Sequence, residues 1–353
     1  MDSVVQSIVD RVKSAAAGGG PLAIHGGGSK SFYGGVVIGE PLDVRPYHGI
    51  IEYEPRELVL TARAGTPLAE VEATMAAENQ MLPFEPPHFA PGSTIGGTVA
   101  AGLSGPRRPY TGAVRDFVLG ARIVNGRGED LSFGGRVIKN VAGYDVSRLM
   151  TGALGTLGVL LDVSFKVLPR PAAEVSLRFE MDEATAIQRF NEWAGKPLPL
   201  SGTSWHEGVA TLRLTGAAAG VAAARTKLGG ELVDTLEARE YWCALRDHRA
   251  AFFQSGEPLW RLSLPSTSPP VASAAPMWME WGGALRWLRG AADAAALRRT
   301  VQSAGGHVTL FRHGDKSTGV FHPLDPVLAR IHRNLKSAFD PGNILNPGRM
   351  DNF

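Results

Sequence analysis

Val5, Ile8, Val9 and Val12 recur at helical spacing between polar and charged residues, which predicts an amphipathic helix within the first 17 positions. Leu22 to Ile24 reads as a short buried strand running into a glycine loop. Leu42 to Val44, Ile50 to Glu54 and Leu58 to Arg63 read as further strands. Thr66-Pro67 predicts an N-cap followed by proline at the first helical position, and Leu68, Val71 and Met75 then mark one helix face. Residues 84–112 hold so many glycines and prolines that the pattern predicts a long functional loop. Regular patterning resumes with a strand at Val118 to Val124, a turn at Asn125-Gly126, a strand near Asp130 to Phe133, a helix around Val146 to Met150 and a strand at Val159 to Val167.

Pro169-Arg170-Pro171 predicts a boundary. Beyond it, strand patterns such as Ser176 to Phe179 and Thr211 to Leu214 alternate with Ala-rich helical stretches at 183–195, 217–227 and 289–303. This predicts an α+β domain with an antiparallel sheet. The tryptophans of the 277–288 segment stand at strand spacing and read as packed core rather than a stacking platform.

Composition narrows the function classes. A chain of 353 residues is long enough for two cores. A net charge of +2 without basic runs argues against nucleic acid. The first segment lacks the apolar centre of a signal peptide, and no uncharged apolar run is long enough to span a membrane, so a cytoplasmic protein is expected. The one cysteine, Cys243, excludes a self-contained iron–sulfur cluster and reads as a small buried hydrophobe, so any electrons must leave through a partner or a diffusing acceptor. Forty-three glycines call for turns or for backbone lying close to a ligand.

The loop His25-Gly26-Gly27-Gly28-Ser29-Lys30 fails two phosphate motifs. Ser29 stands where a P-loop needs glycine before its lysine, and Ser31 stands where a dinucleotide fingerprint needs its third glycine. A nest of backbone N–H groups around an anion remains open, beside a plain chain reversal. A second loop, Pro91-Gly92-Ser93-Thr94-Ile95-Gly96-Gly97, followed by Gly102, Gly105 and Gly112 with Ser104, Arg107 and Tyr110, suits a long bent ligand with a diphosphate at its middle.

These two loops, the Arg108 to Gly112 stretch, Gly143-Tyr144-Asp145, the Gly152 to Val159 segment and the terminal Phe339 to Gly348 run occur in the order found in FAD-linked oxidases of the vanillyl-alcohol-oxidase (PCMH-type) superfamily. Within that superfamily the GHVTLFRHGD, FHPL, EWGGALRW and FEPPHFAPGSTIGG segments resemble the FAD-binding subunit of glycolate oxidases. The resemblance implies an α+β flavoprotein: a two-subdomain PCMH-type FAD-binding domain over 1–170, an α+β cap domain over 171–329, and a 330–353 tail returning to the first domain. It places Gly26, Gly27, Gly28, Ser29 and Lys30 on the diphosphate, with Gly92, Ser93, Thr94, Gly96 and Gly97 on its other side. Gly102, Leu103, Ser104, Gly105, Tyr110 and Gly112 would line the ribityl and ring region, Gly155, Thr156, Leu157, Gly158 and Val159 the adenosine side, and Asn346 would approach the flavin from the tail.

Relatives that attach flavin covalently carry histidine where Ser29 stands, so the FAD is expected to be noncovalent. Relatives that oxidise 2-hydroxy acids alone use a metal-binding histidine segment. Its counterpart here, Arg312 to His322, lacks the asparagine, is stretched, and is followed by no Glu-His pair, so no metal site is expected. Arg312, His313 and His322 are the remaining catalytic candidates. The resemblance further implies a larger homologous FAD subunit and an iron–sulfur subunit as partners, a small 2-hydroxy-acid substrate, and contact with the inner membrane only through partners. A non-catalytic flavin scaffold or relay, and a stand-alone FAD-dependent dehydrogenase, are the alternative readings.

Overall fold

The computed structural model describes residues 2–135 and 145–350. The chain forms two compact units, one from 1–103, 113–169 and 323–353, the other from 104–112 and 170–322.

In the first unit the N-terminal helix Ser3–Ser14 is capped by Asp2 and buries the predicted face, Val5, Ile8, Val9 and Val12. An antiparallel sheet runs in the order Ile50–Glu54, Val59–Arg63, Val159–Lys166, Val118–Val124, Asp130–Gly134. Its alternating residues, such as Leu60, Val163 and Phe165, meet Leu68, Val71 and Met75 of the helix Leu68–Ala77 in one core. That helix begins one residue later than expected. Pro67 is the N-cap residue, and the Thr66 hydroxyl instead donates to the Arg63 carbonyl and accepts from the Gly49 N–H.

The glycine-rich stretch contains a helix that its composition hid, Ile95–Ala101. Thr94 caps it by accepting from the Gly97 N–H, and Gly102 ends it in the left-handed region at φ 63°. Its glycines serve close packing: a Cβ on Gly96 would lie 2.6 Å from the Ala64 Cβ. The expected turn at Asn125-Gly126 is present, with the Asn125 side chain accepting from the Arg127 and Glu129 N–H groups.

A separate parallel pair, Leu22–His25 with Glu40–Asp43, gains a third member from the C-terminal tail. The Leu22 N–H donates to the Ile344 carbonyl and the Asn346 N–H donates back to Leu22. Asp340 organises that tail by accepting from the Ile344 and Leu345 N–H groups while paired with Lys336 at 2.6 Å.

The second unit is built on an antiparallel sheet in the order Glu231–Leu232, Ala173–Glu180, Val209–Gly216, Leu200–His206, Met277–Glu280, Leu285–Arg289, Leu259–Ser263, His307–Arg312. Helices Glu183–Ala194 and Ala218–Leu228 cover Leu177, Leu212 and Leu214, while Ala294–Ser303 packs over Leu262, Val308 and Leu310. The last helix starts five residues after the expected 289, because Leu285–Arg289 is spent on the sheet and Asp293 supplies the cap. Trp278, Trp281 and Trp287 are buried as expected, Trp278 and Trp287 from strands but Trp281 from the turn Trp281–Gly283 that joins them. Cys243 is half-buried, and desolvation pushes its thiol up, away from reactivity.

His248 stacks on Phe253 in this core at 4.0 Å, and burial, reinforced by Arg312 and Arg261, lowers its pKa well below the usual 6.5. A histidine held neutral in the folded state favours folding above the unfolded value of 6.5, and that stability is lost as pH falls from there toward the folded value. Below pH 6.5 the unfolding free energy of the second unit should therefore fall, by ~1.4 kcal/mol per pH unit at most, and its melting temperature with it. His248→Asn, which tolerates the φ of 55° there, should flatten that slope. An unchanged slope in the variant would move the acid sensitivity to other groups.

Candidate flavin site

The strand Leu22–His25 delivers the chain into the glycine loop, and two close contacts and one turn set the loop's shape. A Cβ on Gly27 would stand 1.6 Å from the Gly92 carbonyl oxygen, and one on Gly26 would stand 2.5 Å from the Thr94 Oγ1. The two glycine loops thus meet backbone to backbone, which only glycine allows. Gly28 turns the chain at φ 72°. Among the described residues, the N–H groups of Gly26, Gly27, Gly28 and Ser29 donate no hydrogen bond, so a row of donors is left for a ligand.

Lys30 is buried behind this row, and its Nζ donates to the Ser93 Oγ at 2.7 Å, tying the first loop to the second. From the tail, Arg349 donates to the Lys30 and Gly35 carbonyls, and burial lowers its pKa. Asn346 fastens a third segment: its Oδ1 accepts from the Ile24 N–H and its Nδ2 donates to the Leu154 carbonyl, both at 2.7 Å.

These residues line a cleft of about 90 Å3 running from Ile24 to Ser31, with Thr94, Gly97, Ala100, Ala101, Leu154, Asn346 and Arg349 as the other walls. That is far below the ~300 Å3 lower limit of whole-ligand pockets, and suits one charged portion of a larger ligand. Lys30, Arg349 and His25 line it and no carboxylate does. Donor N–H groups, cations and a Cβ-free wall together fit a diphosphate.

Of the residues singled out from sequence, Gly26 to Lys30, Thr94, Gly97 and Asn346 come together in this cleft. Gly92 and Ser93 stand behind it, touching Gly27 and Lys30. Gly96 packs on Ala64, Gly102 caps a helix, and Leu103 is buried. Gly155 lies against Asn346, where a Cβ would be 2.7 Å from Nδ2, and the Thr156 hydroxyl donates to the Ala153 carbonyl. Leu157 joins the core, Gly158 backs onto Ile123, and Val159 opens the middle sheet strand.

Ser104, Gly105, Tyr110 and Gly112 belong to the second unit. There the Tyr110 hydroxyl donates to the Thr203 Oγ1 at 3.1 Å, burial pushes its pKa up to about 12, and the Gly105 carbonyl accepts from the Trp281 indole. Gly112 ends the short helix Arg108–Thr111. Gly143 and Tyr144 lie outside the described residues, while Asp145 caps the helix Val146–Leu149.

Sequence reasoning missed Leu154, Ala100, Ala101 and Arg349. The first three are apolar walls without a chemical signature. Arg349 directly follows the Asn346-Pro347-Gly348 turn that was noticed, and its position after a left-handed Gly348 at φ 77° was the available signal.

Arg312, His313 and His322 lie in the second unit. Burial lowers all three pKa values, with Arg312 adding to the effect at His313 and Arg298 at His322. The His322 ring accepts from the Val308 N–H at 3.4 Å, and Asp315 caps the turn at 316–318 by accepting from Ser317. Among the described residues no group of three or more His, Cys, Asp or Glu is arranged to hold a metal ion.

Residues 4–134 match the family model of an FAD binding domain. Glycolate oxidase subunit GlcE of Escherichia coli K12 is 48% identical over 345 residues, which span 98% of this chain and 97% of that protein. The chain belongs to the GlcE family. FAD is the cofactor that this membership and the matched domain assign to the first unit of the GlcE-family chain.

Partial relatives include a D-lactate dehydrogenase of Anaerostipes hadrus, 32% identical over 43% of this chain and 30% of that one. Glycolate oxidase subunit GlcD of Bacillus subtilis is 33% identical over 36% of this chain and 27% of its own length. Among solved structures, alkyldihydroxyacetonephosphate synthase superposes with a TM-score of 0.67 at 15% identity, over 97% of this chain and 75% of that one. This establishes the shared PCMH-type α+β fold and nothing about substrate. No helix among the described residues is long and apolar enough to cross a membrane.

Proposed function

We propose that this chain is the FAD-binding subunit of a multi-subunit glycolate oxidase, that the diphosphate of a noncovalent FAD sits in the Gly26–Ser29 cleft, and that the chain takes part in oxidising glycolate to glyoxylate. The observation that carries the cofactor placement is the row of four uncommitted N–H groups in a cleft with two cations and no carboxylate. The observation that carries the activity is similarity to GlcE along essentially the whole chain.

Bound FAD supplies a two-electron acceptor for a carbon bearing hydroxyl and hydrogen. The chain's own part is to hold and orient. Gly26 to Ser29 offer donors to the diphosphate, Lys30 and Arg349 offset its charge, and Asn346 keeps the tail and the first strand in place beside it. Thr94 and Gly97 form the other wall, Gly92 and Ser93 support the loop from behind, and Gly96 seats their helix against Ala64. Gly102 to Gly105, Tyr110 and Gly112 on the ribityl and ring side, and Gly155 to Val159 on the adenosine side, remain assignments from the family pattern.

In this reading the flavin domain spans 1–170, the cap domain 171–329, and 330–353 is the returning tail. In the cap domain, Arg312 suits a substrate carboxylate, and His313 and His322, kept neutral near pH 7 by their lowered pKa values, suit a proton acceptor. Electrons pass to a larger homologous FAD subunit and an iron–sulfur subunit, since one cysteine provides no cluster here. Contact with the inner membrane runs through those partners.

An anaerobic visible spectrum, taken with and without glycolate and D-lactate, tests the subunit reading. The flavin of the isolated chain should stay oxidised and bleach only when the partner subunits are co-expressed. Full bleaching of the isolated chain by either acid would make it a stand-alone dehydrogenase.

A further inference from the structure

The C-terminal helix Pro326–Phe339 carries an apolar stripe that is left exposed among the described residues. Val327, Leu328 and Ile331 are 56%, 45% and 46% exposed, and no residue of the helix is buried. Leu324, just before it, continues the stripe. A helix normally buries its apolar face, because leaving a leucine-sized side chain in water forgoes ~1.5–3 kcal/mol.

The same helix supplies His332, Leu335 and Lys336 to a cavity of about 350 Å3, whose opposite walls include Arg115, Arg148 and Thr151. The cavity and the stripe are continuous, since Leu335 lies one turn beyond Ile331. The Thr151 Oγ1 is buried in the cavity wall with no hydrogen-bond partner among the described residues. The charge is mostly positive: neither the lining of the cavity nor the helix contains a carboxylate, Arg115, Arg148, Arg330 and Arg333 are all exposed, and the neighbouring acids Asp145 and Asp340 pair with Arg148 and Lys336 respectively.

A basic amphipathic helix also suits an anionic lipid surface. Two features favour a protein instead. The stripe borders a concave cavity with an unmet hydroxyl, which protein side chains fill and a flat bilayer does not. The stripe also lacks the aromatic residues that commonly accompany leucine on the inserted face of interfacial helices.

We propose that this stripe and cavity dock an acidic segment of a partner subunit, its apolar side chains filling the cavity and its carboxylates meeting Arg115, Arg148, Arg330 and Arg333. The inference rests on the multi-subunit reading above. Like other charge-complementary interfaces, this one should form faster and hold tighter at low salt.

The test uses the full-length FAD-loaded chain with the co-expressed GlcD-type and iron–sulfur subunits of the same organism, and measures the affinity of the assembly. Leu328→Glu/Ile331→Glu and, separately, Arg330→Glu/Arg333→Glu should each weaken association at least ~10-fold, with FAD content and melting temperature of the isolated chain unchanged. The charge-reversed variant should also lose the salt dependence. Unchanged affinity in both double variants overturns the docking surface while leaving the subunit reading intact. No association by the unsubstituted chain overturns the subunit reading, and the surface with it. Sedimentation with phosphatidylglycerol vesicles that both variants abolish, while assembly persists, would assign the surface to a membrane.

Discussion

Gly27→Ala should empty the protein of flavin. The added carbon would lie 1.6 Å from the Gly92 carbonyl oxygen, roughly half an ordinary contact distance, and the obstacle is backbone rather than a side chain that can swing away. The two glycine loops must separate, at a cost of about 3 kcal/mol or more. Because the separated loops are the two sides of the cleft, much of that cost falls on cofactor binding. A loss of affinity of ~100-fold follows, with flavin occupancy of the purified variant below about a tenth.

Gly28→Ala is the matched control. A Cβ there meets only the Ser31 hydroxyl at 3.6 Å, so the cost is that of the left-handed φ, ~1 kcal/mol. Flavin occupancy should fall in that variant too, since Gly28 lines the cleft, but clearly less than in Gly27→Ala. Equal occupancy in the two would show that the loop contact does not shape the site.

The second large effect is expected at Asn346. Its side chain accepts from the Ile24 N–H and donates to the Leu154 carbonyl, it is 5% exposed, and its φ is 43°. Asn346→Leu leaves both backbone groups without that partner and puts a bulky residue in the left-handed region. Each orphaned group costs ~1–3 kcal/mol and the strained backbone ~1 kcal/mol or more, so about 4 kcal/mol in all is lost from the first unit. For a unit of this size that lowers its melting temperature by roughly 10 °C, and flavin affinity falls with it because Ile24 leads directly into the glycine loop. Asn346→Gly relieves the backbone strain without restoring the hydrogen bonds and should recover only about a quarter of the loss. A leucine variant as stable as the parent would remove Asn346 from its place as the fastener.

The strands and the amphipathic helices were legible in the sequence because burial imposes a period on them. Val118 to Val124, the Leu68, Val71, Met75 face and the N-terminal helix stand where their spacing puts them. The helix Ile95–Ala101 was hidden for a physical reason: its glycines are needed for close approach to Ala64, so composition spoke for a loop while packing made a helix. The first glycine loop read from its residues alone as either an anion nest or a plain chain reversal, and its uncommitted N–H groups fit the nest. The contact of Gly27 with Gly92, which gives the nest its shape, joins positions 65 apart and has no local signature. Lys30 was singled out, but its bond to Ser93, which ties the two loops together, was not visible from either segment.

The terminal Phe339 to Gly348 run is the clearest case of a motif explained only by its partners. Asp340 holds the turn, Lys336 neutralises it while donating to the Thr156 and Leu345 carbonyls, and Asn346 ties the tail to the first strand. Sequence similarity placed this run near the flavin, whereas its contacts make it a clamp on the cleft. Arg349, one residue past the motif, completes the wall.

Seating of the FAD diphosphate in the Gly26–Ser29 cleft is tested most directly by titrating the flavin-free chain with FAD beside its Ser29→Asp variant. Ser29 lines the cleft without being buried, so aspartate adds a negative charge at the anion site without the clash that Gly27 suffers. The parent should bind one FAD per chain, and Ser29→Asp should bind it at least ~10-fold more weakly, the lost ground narrowing as salt screens the repulsion. Equal affinities at low salt would contradict that seating and place the diphosphate elsewhere.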